Sequence, residues 1–142
     1  MKPKQKCELL DALTSIRAFV PRSQYMACAQ VIGQRGEGAD ELQEPILRLK
    51  QIIDTMPKTY EQEGLGDAAI AHIHYFAPSA DWHITEQDVD GGVDQAFGLA
   101  NLGYGAELGY ISIRELCSVR TVEIDFYFKP RALKEIREKS AA

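Results

Sequence analysis

His72, His74 and His83 are the histidines of this 142-residue chain, and all three fall in one short stretch. A strand over Ala68 to Phe76 puts His72, His74 and Phe76 on one face and Ala71, Ile73 and Tyr75 on the other, because side chains alternate along a strand. A loop over Ala77 to Ala80 leads into a second strand over Asp81 to Gln87. That pairing sets Phe76 opposite Asp81, His74 opposite His83 and His72 opposite Thr85, and it collects Ala71, Ile73, Tyr75, Trp82 and Ile84 as a core on the other face. Directly opposed residues hold their Cβ atoms about 4.5–5.5 Å apart, near enough for imidazoles to share an ion. Neutral imidazole nitrogen suits zinc, copper, nickel or iron, and three such ligands leave one position open for water. Asp81 or Asp125 would add an oxygen ligand. A transition metal is therefore the one cofactor these residues suggest. The plainer reading leaves the histidines as polar residues on a solvated sheet face, since a one-residue slip in register would part His74 from His83. On sequence alone that plainer reading takes precedence.

Other chemistry-bearing residues read as structural. Trp82, beside Ile84 and opposite Tyr75, belongs to the core before it is a recognition aromatic. Gly98, Gly103, Gly105 and Gly109 lack the GxxxxGK[ST] spacing and open no helix, so they serve tight turns and close strand approach, not phosphate. Ser23, Ser79, Ser112 and Ser118 have no nucleophile-elbow context. Arg114 stands near enough in sequence to activate Cys117, yet cysteine is most often a small buried hydrophobe. Glu123 and Asp125 could act as an acid pair, although an acidic solvated face accounts for them better.

The elements that must position these residues follow from periodicity. Leu10, Leu13, Ile16 and Val20 form a helical stripe over Cys7 to Val20, stopped by Pro21. Ser23 caps a second helix with Tyr25, Met26, Ala29 and Ile32 facing inward, and Gly33, Gly36 and Gly38 then break the chain. A third helix carries Ile46, Leu49, Ile52, Ile53 and Met56 on one face, with Pro45 in its first turn, and ends before Pro57. Lys58 to Gly66 reads as a polar linker. The period then changes to two, giving strands over Ala68 to Phe76, Asp81 to Gln87, Gln95 to Leu102, Glu107 to Ser112 and Thr121 to Phe128. Ile113 to Cys117 is a single helical turn, and Arg131 to Lys139 a short last helix. In Thr121 to Phe128, Val122, Ile124, Phe126 and Phe128 point one way and Glu123, Asp125 and Tyr127 the other, which implies a sheet buried on one face.

Residues 67–128 hold 2 basic and 10 acidic side chains, residues 1–66 hold 9 of each, and residues 129–142 hold 5 basic and 2 acidic. An acidic sheet region repels a phosphate backbone, so nucleic acid is excluded as an ordinary partner except through the basic ends, Lys2 to Lys6 and Lys129 to Lys139. No apolar run reaches the roughly 18–20 residues of a membrane span. Cys7, Cys28 and Cys117 form no CxxC pair and read as reduced thiols of a cytoplasmic protein.

Four motifs resemble a known family: Phe76-Ala-Pro-Ser-Ala-Asp-Trp-His-Ile-Thr-Glu86, Gln95-Ala-Phe-Gly98, Glu107-Leu-Gly-Tyr-Ile-Ser112 and Val122-Glu-Ile-Asp-Phe-Tyr-Phe-Lys-Pro130. They are similar, over roughly residues 70–130, to a domain family of unknown function found in small proteins of bacterial plasmids, conjugative elements and phages. The resemblance brings no catalytic residues. It implies a cytoplasmic accessory protein of a mobile element that helps the element persist or evade host defence.

The reading is an α+β protein forming a single domain of 1–142. A helical part spans 1–57, a mostly antiparallel five-stranded meander spans 67–130, and a short basic helix and tail span 131–142. The leading functional expectation is non-enzymatic: Asp81, Glu123, Asp125 and Tyr127 form an interaction face for a host or element-encoded protein. The alternative is a metal-binding protein or metal-dependent hydrolase centred on His72, His74 and His83.

Overall fold

Three apolar stripes in the N-terminal part become three helices: α1 (Pro3–Ser15), α2 (Arg22–Gly33) and α3 (Ala39–Thr55). A computed structural model describes residues 1–34 and 38–141, so the break expected at Gly36 lies outside the described residues. Pro3 sits in the first turn of α1, where its missing amide hydrogen has no helical partner anyway. A 3₁₀ turn (Arg17–Phe19) follows before Pro21, and Pro21 is also the N-cap of α2. Met26, expected inside, is 55% exposed. Pro45 lies inside α3 and not in its first turn. The helix extends back to Ala39 because Ala39 and Leu42 add buried apolar surface there, while Glu41, whose carbonyl loses its amide donor to Pro45, faces solvent.

The second part is a sheet. Its strands are β1 (Ile70–Ala71), β2 (Ile73–Ala77), β3 (Ala80–Glu86), β4 (Ala96–Asn101), β5 (Ala106–Ile111), β6 (Glu123–Ile124) and β7 (Arg131–Ala132). Five form one sheet in the order β5-β4-β3-β2-β6, with every neighbouring pair antiparallel. β2 to β5 run as a meander. The chain then crosses back through α4 (Ile113–Ser118), capped by Ser112, to add β6 at the β2 edge. β1 pairs with β7, which leads into α5 (Leu133–Ala141). The chain is thus α+β, as the shift in periodicity implied.

Both faces of the sheet are covered in part, not one. Leu9, Leu13, Ile16, Ile32, Ile46 and Leu49 from the helices share a cluster with Ile73, Tyr75, Ile84, Ala96, Ile111 and Ile124 from the sheet. The Tyr75 hydroxyl, wholly buried, donates a 2.6 Å hydrogen bond to the Phe19 carbonyl and so ties sheet to helices. Ala69, Ala71, Leu99, Phe128, Leu133 and Ile136 form a second cluster. Ala71, expected beside Ile73, belongs to this second cluster because the strand breaks at His72 and its alternation restarts.

The strand expected over Thr121 to Phe128 is cut to Glu123–Ile124. The Tyr127 amide donates to Asp125 Oδ1 at 2.9 Å, and the Phe128 amide to the Asp125 carbonyl at 3.3 Å. This Asx-turn folds Phe128 back onto the face opposite Val122 and Ile124. The expected alternation holds for Val122, Ile124 and Phe126, which share the larger cluster, and fails at Phe128, which the turn sends to the other face.

Candidate functional site

Pairing across the β2–β3 hairpin sets Phe76 against Asp81 and His74 against His83, joined through Pro78 and Ser79. The imidazoles of His74 and His83 stack with centroids 4.2 Å apart and planes 7° from parallel. Phe128 caps both rings at 5.5 and 5.6 Å, and the Arg131 guanidinium lies 5.1 Å over the Phe128 ring. The expected solvated face is therefore roofed at this point, and His83 is buried.

Two carboxylates flank the pair. Asp125 Oδ2 is 3.6 Å from His74 Nδ1, and Asp81 Oδ1 is 3.5 Å from His83 Nδ1. His74 Nε2 and His83 Nδ1 are buried and lack any hydrogen-bond partner. Burial, reinforced by the neighbouring His74 and Arg131, pushes His83 down to about 3, against the opposing pull of Asp125. His83 is thus neutral at neutral pH, with a lone pair available. His74, Asp81 and His83 each place a ligand atom within 4.8 Å of the others. His72 is outside this group: its amide donates to the Ile84 carbonyl at 2.8 Å, at the break between β1 and β2.

Around this pair the register aligns Asn101, Asp81, Phe76 and Glu123 across β4, β3, β2 and β6. Of the residues expected to form an interaction face, Asp81 and Glu123 therefore flank Phe76. Asp125 follows β6, and Tyr127 is 69% exposed beyond it.

A feature that sequence reasoning missed lies further along the same face. β3 carries a bulge between Ile84 and Glu86: Ile84 pairs with Gly98 and Glu86 with Phe97, leaving Thr85 as the extra residue. A bulge re-aims side chains, and here Thr85 and its neighbour Glu86 both reach one cavity of about 450 Å³. Phe97, Leu108, Tyr110 and Leu133 wall it, and the segment Thr59 to Gly66 closes it. That segment, part of the Lys58 to Gly66 stretch read from sequence as a linker, is tied to the sheet by hydrogen bonds. Thr59 Oγ1 donates to the carbonyls of Gln87 or Gln95, and Gln62 Nε2 donates to those of Ile70 and Thr85, while Gln62 Oε1 accepts from the Ile70 amide. No signal in the sequence marked Glu86, which sits among the polar residues Asp81, His83, Thr85 and Gln87 of the same stretch.

The remaining candidates are structural. Trp82 is half-buried against the larger cluster. Arg114 pairs with Asp94 at 2.7 Å, and burial pushes the Cys117 thiol up to about 12, so this cysteine is not activated. A Cβ on Gly98 would overlap the His83 carbonyl oxygen and lie 2.9 Å from Ile84 Cα, which is the close strand approach the glycine permits.

The family model described as "Protein of unknown function (DUF2958)" matches residues 45–136, from within α3 into α5. No curated protein and no solved structure matches the chain. Among the described residues, no helix is long and apolar enough to cross a membrane. The chain belongs to the DUF2958 family.

Proposed function

We propose that this member of a family of unknown function is a metal-binding protein that holds a divalent transition metal between His74, His83 and Asp81. One observation carries the reading: two buried imidazole nitrogens, His74 Nε2 and His83 Nδ1, have no hydrogen-bond partner beside a carboxylate. A buried polar atom without a hydrogen-bond partner costs about 1–3 kcal/mol. An ion at about 2.0–2.1 Å from each nitrogen would satisfy both once the stacked rings turn out of parallel toward it. Asp125, at the far nitrogen of His74, is placed to orient that ring as a carboxylate behind a ligating histidine does. Two carboxylates outweigh the one nearby guanidinium of Arg131, which favours a cation. Three protein ligands leave one position for water, so the same site admits hydrolytic chemistry.

Zinc content of untagged protein, measured by mass spectrometry in a Cys7→Ser background, tests the reading. Near-equimolar zinc that is lost in both His74→Ala and His83→Ala supports it. Metal-free protein that shows no thermal shift with added zinc, cobalt or nickel overturns it.

A second reading is favoured by the alignment of Asp81, Phe76 and Glu123 beside exposed Tyr127. In it, this acidic face docks a basic surface of a host or element-encoded protein in the cytoplasm, as the resemblance to mobile-element proteins suggests. Pull-down of one protein partner, weakened by salt and by Glu123→Lys, supports it. Salt-independent capture contradicts it.

A further inference from the structure

The cavity behind the Thr85 bulge is built around a buried charge. Glu86 is 4% exposed, yet no Lys, Arg or His among the described residues pairs with it. Glu86 Oε1 accepts one hydrogen bond, from the Gln62 amide at 2.8 Å. Oε2 depends on the Thr85 hydroxyl at 3.3 Å. That hydroxyl has a single proton and a nearer acceptor, the Phe97 carbonyl at 3.1 Å. When the proton serves Phe97, Oε2 has no donor. A carboxylate offers about four acceptor positions, and burying it without a counter-charge is costly.

The rest of the cavity suits an apolar body. Phe97, Leu108, Leu133 and Ala69 line it, and its volume of about 450 Å³ falls within the 300–1,000 Å³ typical of small-molecule sites. At the mouth, the half-exposed hydroxyls of Tyr60 and Tyr110 bond each other at 2.9 Å. Glu63 also lines the cavity, so both of its charged residues are acidic.

We infer that this cavity binds a small organic cation, an amine or amidine carried on an apolar or aromatic body, with its N–H donors on Glu86 and its body against Phe97 and Leu108. A cationic nitrogen supplies the donor that Oε2 lacks and the counter-charge that the fold leaves out, and such charge-assisted bonds are among the strongest available. The site is separate from the His74–His83 pair and stands whether or not that pair holds metal.

Ligand-observed NMR and calorimetry with benzylamine, and with benzyl alcohol as its neutral counterpart, test the inference. Benzylamine is expected to bind saturably and at least about tenfold more tightly than benzyl alcohol, a difference of about 1.4 kcal/mol. Glu86→Gln keeps the acceptor for Gln62 and is expected to abolish the difference. Leu108→Trp, at a half-exposed position, is expected to block both probes without touching Glu86. Equal binding of the two probes, undiminished benzylamine binding in folded Glu86→Gln, or no saturable binding of benzylamine overturns the inference. Tighter binding of Nα-acetyl-lysine amide than of benzylamine would overturn the small-molecule assignment by pointing to a partner's side chain.

Discussion

His74 and His83 lie face to face across neighbouring strands, 4.2 Å between ring centroids, under the single ring of Phe128. Stacked imidazoles in a roofed site cannot both be protonated without strong repulsion. Burial and its neighbours hold His83 down to about 3, and its neutral ring keeps a lone pair to be filled.

Stability of the metal-free protein should depend on pH through His83. Its ordinary value of 6.5 in the unfolded chain falls to about 3 in the folded one. Between those values the unfolded state binds the additional proton, so stability is complete above pH 6.5 and is lost as pH falls toward 3. One proton gives a slope of at most about 1.4 kcal/mol per pH unit. Urea unfolding between about pH 7 and pH 4 in the presence of chelator should show a steeper loss in the wild type than in His83→Phe.

Gly98→Ala should destabilise the protein by about 1–3 kcal/mol, because the added methyl overlaps the backbone of β3, which cannot rotate away. Gly109→Ala is the control: it lies directly opposite Gly98, yet a Cβ there meets nothing within 4 Å. Thermal melts of the two variants should differ clearly, with Gly98→Ala the lower.

Gln62→Ala should cost about 2–3 kcal/mol. It removes three side-chain hydrogen bonds, to Ile70 and Thr85, each worth about 0.5–1.5 kcal/mol and partly buried. Faster hydrogen exchange is expected at the Ile70 amide, whose acceptor is lost, with exchange in α1 unchanged.

Thiol labelling at pH 8 should separate the three cysteines. Cys7 is exposed and should react at once. Cys28 is buried with its thiol pushed up by that burial, and Cys117 is pushed up to about 12. One fast equivalent in the native protein and three after unfolding are expected.

Much of the histidine site was legible. A hairpin through Pro78 and Ser79 with alternating apolar residues admits one register that keeps Tyr75 and Ile84 inside, and that register opposes His74 to His83. The roof was not legible. Alternation from Val122 to Phe128 reads as a strand, whereas the Asp125 side chain captures the Tyr127 amide and turns the chain. His72 was misplaced for a related reason: strict alternation does not register the break between β1 and β2. The Glu86 cavity was hidden because a bulge, a polar loop and three separate strands build it, and no local pattern marks their convergence. Composition made the Thr59 to Gly66 loop look like a spacer, since polar side chains that bond inward and outward are indistinguishable in sequence.

The most direct test of the metal site is the imidazole ¹⁵N spectrum of the protein titrated with zinc. Coupled shifts of His74 Nε2 and His83 Nδ1, saturating at one equivalent and leaving the His72 nitrogens unmoved, are the expected result. A titration that moves His72 alone, or leaves both stacked rings unchanged, would contradict it.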